Sequence, residues 1–156
     1  MIILDLLGNY VITASVAAWL LAQITKFFVA WFVDGKPDPH RLFGDGGMPS
    51  AHSATVVCLT VMIGYGCGVG SPIFALAFLF AIIVMHDATG VRRETGKQAM
   101  DIVQLFEALN DILSEKDKIT QREKLKTFVG HSPVQVFCGA LLGILVGVLY
   151  IVIAGI

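Results

Sequence analysis

The sequence has few charged residues and is dominated by long apolar runs. Of its 156 residues, 15% are Asp, Glu, Lys or Arg and 56% are hydrophobic, and the mean hydropathy is +0.77. A soluble domain usually has about 25% charged residues. This shortage excludes an ordinary soluble protein and predicts an integral membrane protein. The net charge of -1 gives no sign of nucleic acid binding, so no nucleic acid partner is expected.

Cysteines and the usual cofactor motifs are also scarce. The three cysteines, Cys58, Cys67 and Cys138, lie within apolar stretches and show no C-x-x-C spacing, so neither a disulfide framework nor a zinc site is indicated. The chain has no Walker-type loop and no aspartate pair for magnesium. No basic region precedes the first apolar run, which argues against a cleaved signal peptide. We expect no cofactor and no metal, with a metal-assisted site at His86 and Asp87 as a minor alternative.

The apolar runs predict an all-α membrane bundle in a single domain, residues 1–156. A helix needs about 20 apolar residues to cross the hydrocarbon layer, and four stretches approach or exceed that length. The predicted spans are residues 11–33, 51–68, 71–91 and 132–156. Between the last two, apolar residues recur at helical spacing in a charged segment, which predicts an amphipathic cytoplasmic helix within residues 95–128.

The basic residues indicate how the bundle is oriented. With four crossings, the loop after the first span and the segment after the third lie on the same side of the membrane. All 11 Lys and Arg residues lie in these two segments or, for Lys26, near that end of a span. The positive-inside rule makes this side cytoplasmic. The termini are therefore predicted to lie outside the cytoplasm.

Two predicted helix starts carry a histidine on that cytoplasmic side. A glycine-rich turn, residues 46–53 (GGMPSAHS), runs directly into the second span, where Ser50 is the predicted N-cap and His52 follows. At the fourth span, His131 stands just before the predicted N-cap Ser132. Unpaired backbone N–H groups and the helix dipole favour an anion at such positions. The pattern predicts a phosphate site; the alternative for the first motif is an ordinary capped helix with a histidine at the membrane surface.

The first and third spans end at the same face and add polar candidates. Lys26 lies about two turns from the end of its span and either reaches the interface or is partnered inside the bundle. Asp87 follows an apolar run and precedes Arg92 and Arg93, although a stop-transfer anchor is the simpler interpretation of the arginines. Asn110 lies at the edge of the apolar face of the amphipathic helix. Cations and helix N-termini that hold phosphate oxygens, with one histidine to attack and another to protonate, suit phosphoryl transfer.

The fourth span also contains a stripe of glycines. Gly139, Gly143 and Gly147 recur every four residues, a spacing that lets helix backbones approach closely in lipid. Packing inside the bundle is the first use predicted for this stripe. A homo-oligomer through it is the second.

Several segments together resemble the type 2 phosphatidic acid phosphatase and vanadium haloperoxidase superfamily, in particular a small divergent bacterial and plant branch. PSAH looks like the P-S-G-H motif of that superfamily, and GHSPVQV followed by GALLG looks like the segment around its nucleophilic histidine. The segments that carry the resemblance are residues 46–48, 49–52, 87–93, 130–136 and 139–143. The resemblance implies a membrane phosphatase acting on a lipid phosphate, such as a phosphatidate or a polyprenyl phosphate, in a bacterial cell membrane.

The resemblance also implies roles for four residues. His131 would attack phosphorus and form a phosphohistidine, and His52 would protonate the leaving alcohol. Ser50 and Lys26 would bind phosphate oxygens. No Arg-Pro pair follows Lys26 at the distance that the superfamily pattern requires.

Three single positions depart from the pattern. Ala51 replaces the motif glycine, Leu125 stands where the superfamily has an arginine, and Gln135 occupies the place of the aspartate that orients the nucleophile.

Asp87, Arg92 and Arg93, at the end of the third span, can take the place in space of the arginines and the aspartate that this sequence lacks. Asp87 is predicted to serve the site electrostatically, either by holding His131 directly or by fixing Arg92 or Arg93; the sequence does not choose between these. The competing interpretation is a binding or transport protein that recognises a lipid phosphate without hydrolysing it. A structural membrane subunit is a third, weaker possibility.

Overall fold

The computed structural model describes Leu6 and residues 8–35, 47–112 and 131–156, except for the side chains of Asp34, Arg92, Asn110, Asp111 and Ile112. The described residues form helices without any strand, and the predicted all-α fold is confirmed. In chain order the helices are α1 (Tyr10–Asp34), α2 (Ala51–Cys67), α3 (Pro72–Thr89), α4 (Val91–Ile112) and α5 (Pro133–Ala154).

In the described part of the chain, three helical stretches are long and apolar enough to cross a membrane, judged by length and composition: Tyr10–Val33, Pro72–Leu109 and Pro133–Ala154. The stretch from Pro72 joins α3 to most of α4. Helix α2 is apolar but has 17 residues, so it is about 26 Å long and lies at the short end of the range for a spanning helix. The four predicted spans therefore coincide with α1, α2, α3 and α5.

The boundary after the third span differs from the prediction. We predicted a span that continues to residue 91, whereas α3 ends at Thr89 and α4 begins at Val91. Gly90 lies between the two helices, and its backbone N–H donates to the carbonyl of His86 at 2.8 Å. The amphipathic helix thus begins four residues before the predicted residue 95. Its predicted continuation beyond Ile112, including Leu125, lies outside the described residues.

The helix starts are fixed by side-chain caps, as the sequence predicts. Ser50 caps α2 and accepts from the backbone N–H of Ser53, while Ser132 caps α5. At α5, the side chain of Gln135 also accepts from the backbone N–H of Ser132, which completes a capping box. These caps satisfy N–H groups that would otherwise be unpaired at the level of the candidate site.

Helix α2 lies at the centre of the bundle and packs against α1, α3 and α5. Its contact with α5 uses the glycine stripe. A Cβ atom at Gly139 would collide with the backbone carbonyl of Ser50, and one at Gly143 would lie 2.5 Å from the carbonyl oxygen of Ala54. The stripe is therefore occupied by α2 of the same chain, the first of its two predicted uses. Formation of a homo-oligomer stays a prediction and requires a different surface.

Candidate functional site

His131 connects the start of α5 to the end of α3. It lies two residues before Pro133, its side chain is only 4% exposed, and its backbone N–H donates to the carbonyl of Ala88 at 2.9 Å. Ala88 is in the last turn of α3, directly after Asp87. This hydrogen bond holds the histidine backbone at the level of the acidic residue that the sequence analysis selected.

A second backbone hydrogen bond sets the start of α2 beside the first turn of α5. The N–H of Ser50 donates to the carbonyl of Gln135 at 3.0 Å. Since both helices begin at this level, the rings of His52 and His131 come together, with centroids 6.0 Å apart and an interplanar angle of 64°. The two histidines that the topology predicted at one membrane face are thus neighbours.

The side chain of Gln135 contacts the imidazole of His131. Its Oε1 accepts from the Ser132 N–H at 2.9 Å and lies 3.4 Å from Nδ1 of His131. The donating backbone N–H identifies this amide atom as the oxygen. An amide oxygen can only accept, so a hydrogen bond to His131 requires the proton on Nδ1. The distance exceeds the usual 2.7–3.2 Å, and the bond is therefore weak.

Ser50 and Ser53 form a buried pair of hydroxyl groups. Both side chains are fully buried, and Ser50 Oγ accepts from the backbone N–H of Ser53 at 3.3 Å and from its hydroxyl at 3.1 Å. The hydroxyl hydrogen of Ser50 is still available to donate. No binding or catalytic role was predicted for Ser53 from the sequence. Its spacing of three residues from Ser50, which places both on one face of a helix, was the available signal.

Lys26 lies inside the bundle near the same level. Its side chain is 4% exposed, which favours an interior position over a position at the water interface. A Cβ atom at Gly47 would lie 2.7 Å from Cδ and 2.9 Å from Cγ of Lys26, and Gly47 has φ +92°. Only glycine combines that backbone angle with the space for the lysine stem. The glycine-rich turn therefore accommodates Lys26 as well as leading into α2.

Gln23 precedes Lys26 by one helical turn and was not selected from the sequence. Within the described part of the chain, its Oε1 is buried and has no hydrogen-bond partner. Buried polar atoms without a partner are uncommon in folded proteins. This acceptor is a candidate for contact with a hydroxyl group of a ligand.

The remaining candidates lie at the end of α3 and along α4. Asp87 is half-buried in the last turn of α3, and Arg93 is exposed in the first turn of α4. Arg92 and Asn110 belong to α4, but their side chains lie outside the described part of the structure. A contact of Arg92, Arg93 or Asn110 with a phosphate therefore stays a prediction.

Among the residues that the structure describes, no group of three or more His, Cys, Asp or Glu side chains could hold a metal ion. In this part of the chain, the alternative metal site at His86 and Asp87 therefore has no third ligand of these types. The described arrangement instead combines imidazoles, a buried cation, hydroxyl groups and helix N-termini. Such groups bind and polarise phosphate directly.

Two adjacent grooves lie beside these residues. The upper groove, about 400 Å³, runs between the end of α3 and the start of α5, and the lower one, about 250 Å³, continues between α2 and α3. Apolar side chains line almost all of both grooves. The polar residues among their lining are Thr60, His86 and Thr89.

The bundle of long apolar helices is that of a helical membrane protein. Residues 7–146 match the family described as Divergent PAP2 family, and the chain belongs to that family. It is also 41% identical over 148 residues to the uncharacterized membrane protein YuiD of Bacillus subtilis (strain 168), a match that covers 91% of this chain and 94% of that protein. No solved structure matches the chain.

Proposed function

We propose that this protein is a membrane-embedded phosphatase that hydrolyses a lipid phosphate, of the phosphatidate or polyprenyl phosphate type, through a phosphohistidine intermediate. The observation that carries the proposal is the pair of imidazoles, His52 and His131, with centroids 6.0 Å apart at two adjoining helix N-termini. Membership of the Divergent PAP2 family supports a relationship to phosphatases. The buried Lys26 supplies a cation at the same end of the bundle.

His131 is the nucleophile in this mechanism. When its Nδ1–H donates to Gln135 Oε1, Nε2 carries the lone pair and attacks phosphorus. A P–N bond forms while the P–O bond to the lipid breaks, and the imidazole of His52, in its protonated form, gives its proton to the leaving oxygen. His52 then removes a proton from a water molecule, which attacks the phosphohistidine. Inorganic phosphate leaves and His131 is restored.

The other groups stabilise the charge on the phosphoryl oxygens. Lys26 and the hydroxyl of Ser50 bind these oxygens, and the N-termini of α2 and α5 add their dipoles. A lysine near the centre of a bilayer costs about 2.5–3.5 kcal/mol on insertion scales. A binding role for the anionic substrate is a reason for the chain to retain Lys26 there.

Asp87 completes the site in this proposal because the amide of Gln135 provides no negative charge. A nucleophilic histidine becomes cationic during attack, and a nearby carboxylate stabilises that cation. Asp87 acts either on His131 or through Arg92 or Arg93.

We also place the site at the cytoplasmic face of a bacterial cell membrane, because the basic residues lie on one side. In a Cys67→Ser background, because Cys67 is exposed, reaction of the Lys97→Cys variant with an impermeant maleimide in intact cells would contradict that orientation.

The proposal is tested by phosphate release from purified protein in detergent micelles. Phosphatidate, a polyprenyl phosphate and p-nitrophenyl phosphate are offered as substrates, each with and without EDTA. We expect release from a lipid phosphate that survives EDTA and disappears in His131→Ala. Loss of activity in EDTA would instead support the metal-assisted site at His86 and Asp87.

One observation favours a second candidate function, a lipid-phosphate binding or transport protein without hydrolysis. The neutral amide of Gln135 occupies the place that the superfamily pattern gives to an aspartate, and its Oε1 lies at the long distance of 3.4 Å from His131 Nδ1. A binding protein would retain lipid phosphates on a filter or column and release no phosphate. Binding that persists in His131→Ala together with no turnover in the unaltered protein would establish this alternative.

A further inference from the structure

The two grooves beside the site are adjacent along α3, and together they form an apolar trough. Ile82 and Met85 line both grooves. The trough is open because α3 packs mainly against α2 and makes little contact with α5. Its lining extends from Phe74 to Thr89 of α3, which corresponds to about 22 Å of helix.

The upper end of the trough adjoins the candidate site. Thr89 and Pro133 line it there. Thr89 follows Ala88, whose carbonyl accepts from the backbone N–H of His131, and Pro133 is two residues after that histidine. The imidazole of His86 is exposed at this end. The upper end of the trough therefore has two polar lining residues, His86 and Thr89, at the level of the candidate site.

The rest of the trough is apolar. Phe74, Phe78 and Ile144 line the lower groove. The hydroxyl of Thr60, its one polar lining residue, donates to the carbonyls of Val56 and Ala77 at 2.8 and 3.3 Å. No lining group of the lower groove thus requires water or a polar ligand. The gradient from polar to apolar matches a molecule with an ionic head and a hydrocarbon tail.

We propose that this trough holds a hydrocarbon chain of the lipid phosphate, which enters sideways from the bilayer between α3 and α5. This inference rests on the proposed function, because it requires a lipid phosphate at His131. Lipid tails are as apolar as the trough, so transfer of the chain from the bilayer adds little affinity. The trough instead positions the phosphate and selects substrates that have a long chain.

The experiment compares photo-crosslinking of two lipids that carry a diazirine in the middle of one acyl chain, phosphatidate and phosphatidylcholine. Purified His131→Ala protein in vesicles is used so that the phosphatidate is not consumed. Cross-linked peptides are identified by mass spectrometry. We expect phosphatidate to label the trough residues of α3 and α5, such as Met85, at least about tenfold more than phosphatidylcholine does.

Two variants of adjacent lipid-facing isoleucines provide a matched control. Ile82 lines both grooves and is 44% exposed, whereas its neighbour Ile83 lines neither and is 65% exposed. Ile82→Trp should abolish the phosphatidate-specific labelling, and Ile83→Trp should leave it unchanged.

The same two variants are tested for turnover in the protein that retains His131. Ile82→Trp should lower kcat/KM for a long-chain lipid phosphate at least about tenfold and leave hydrolysis of p-nitrophenyl phosphate unchanged. Equal labelling by both lipids, or equal labelling in both tryptophan variants, would overturn the trough as the chain site even if phosphate is released. Specific labelling without any phosphate release would uphold the trough and reject hydrolysis.

Discussion

The two ends of the helical bundle are built from different residues although the same helices form both. At the hairpin end, which contains the tight turn between α2 and α3 at residues 68–71, the core centres on Cys58 and Met62, both fully buried. At the other end, Ala22, Ala51 and Ala54 form a smaller buried apolar cluster. There they are accompanied by buried polar groups, Lys26, Ser50, Ser53 and His131.

The two ends therefore contribute differently: the hairpin end to stability and the polar end to function. Apolar packing at the hairpin end contributes to stability, and the buried hydroxyl groups there, on Ser15 and Thr60, donate to backbone carbonyls of their own helices. At the polar end, each buried hydroxyl, imidazole or ammonium group costs free energy unless it is partnered. Such an arrangement is typical of functional sites inside membranes. Substitutions at the two ends should therefore separate turnover from stability.

The largest effect is expected from His52→Ala. Loss of the proton donor should lower turnover on the order of 10² to 10⁴-fold, the usual contribution of positioned acid-base catalysis, without a change in the unfolding midpoint. Initial rates of phosphate release measure the first quantity and thermal unfolding in detergent the second. If turnover falls only in proportion to the fraction of folded protein, His52 is a structural residue.

The next effect is expected from Lys26→Met, which keeps the length of the side chain but removes its charge. Loss of a preorganised cation should lower kcat on the order of 10² to 10³-fold. Lys97→Met is the matched control, since Lys97 is an exposed lysine that pairs with Glu94 on α4 at 2.6 Å. Similar rates in the two variants would show that Lys26 does not act on the phosphate.

Met62→Ala should produce the opposite pattern at the hairpin end. The cavity should lower the free energy of unfolding by about 1–3 kcal/mol, since the packing term is lost while transfer from lipid adds little. The kcat per folded molecule should stay unchanged. Leu79→Ala, at a lipid-facing position 57% exposed, is the control for unfolding. A loss of kcat in Met62→Ala at constant folded fraction would connect the two ends functionally.

Asp87→Asn should have a smaller effect, a loss of at least about tenfold in turnover, or about 1.4 kcal/mol. The fold should be preserved because the change keeps the shape of the side chain. Gln135→Asp should be tolerated or mildly activating, since it adds a charge beside His131. If Asp87→Asn is silent and Gln135→Ala is inactive, Gln135 alone orients the histidine.

Much of this arrangement could be predicted from the sequence, because local signals determine it. Apolar run lengths located the helices, and Ser50 and Ser132 marked the starts of α2 and α5. The one-sided distribution of basic residues indicated that His52 and His131 share a face, and the structure places their rings together.

Other features depend on contacts between distant segments. The space at Gly47 for Lys26, the hydrogen bond from His131 to Ala88 and the trough between α3 and α5 arise only when the helices pack. Neither the hydrophobic periodicity of the sequence nor its helix caps indicate which pair of helices lies far enough apart to leave a groove between them. The end of α3 at Thr89 was also missed because Gly90 interrupts a sequence that is otherwise compatible with a continuous helix.

The most direct test of the account is detection of phosphate on His131. Purified protein is mixed with a lipid phosphate labelled with ³²P, quenched in alkali to preserve phosphohistidine, and digested for mass spectrometry. We expect an acid-labile phosphate on the peptide that contains His131, present with EDTA and absent from His131→Ala. Label on another residue, or steady release of phosphate from His131→Ala, would contradict the proposal that this histidine is the nucleophile.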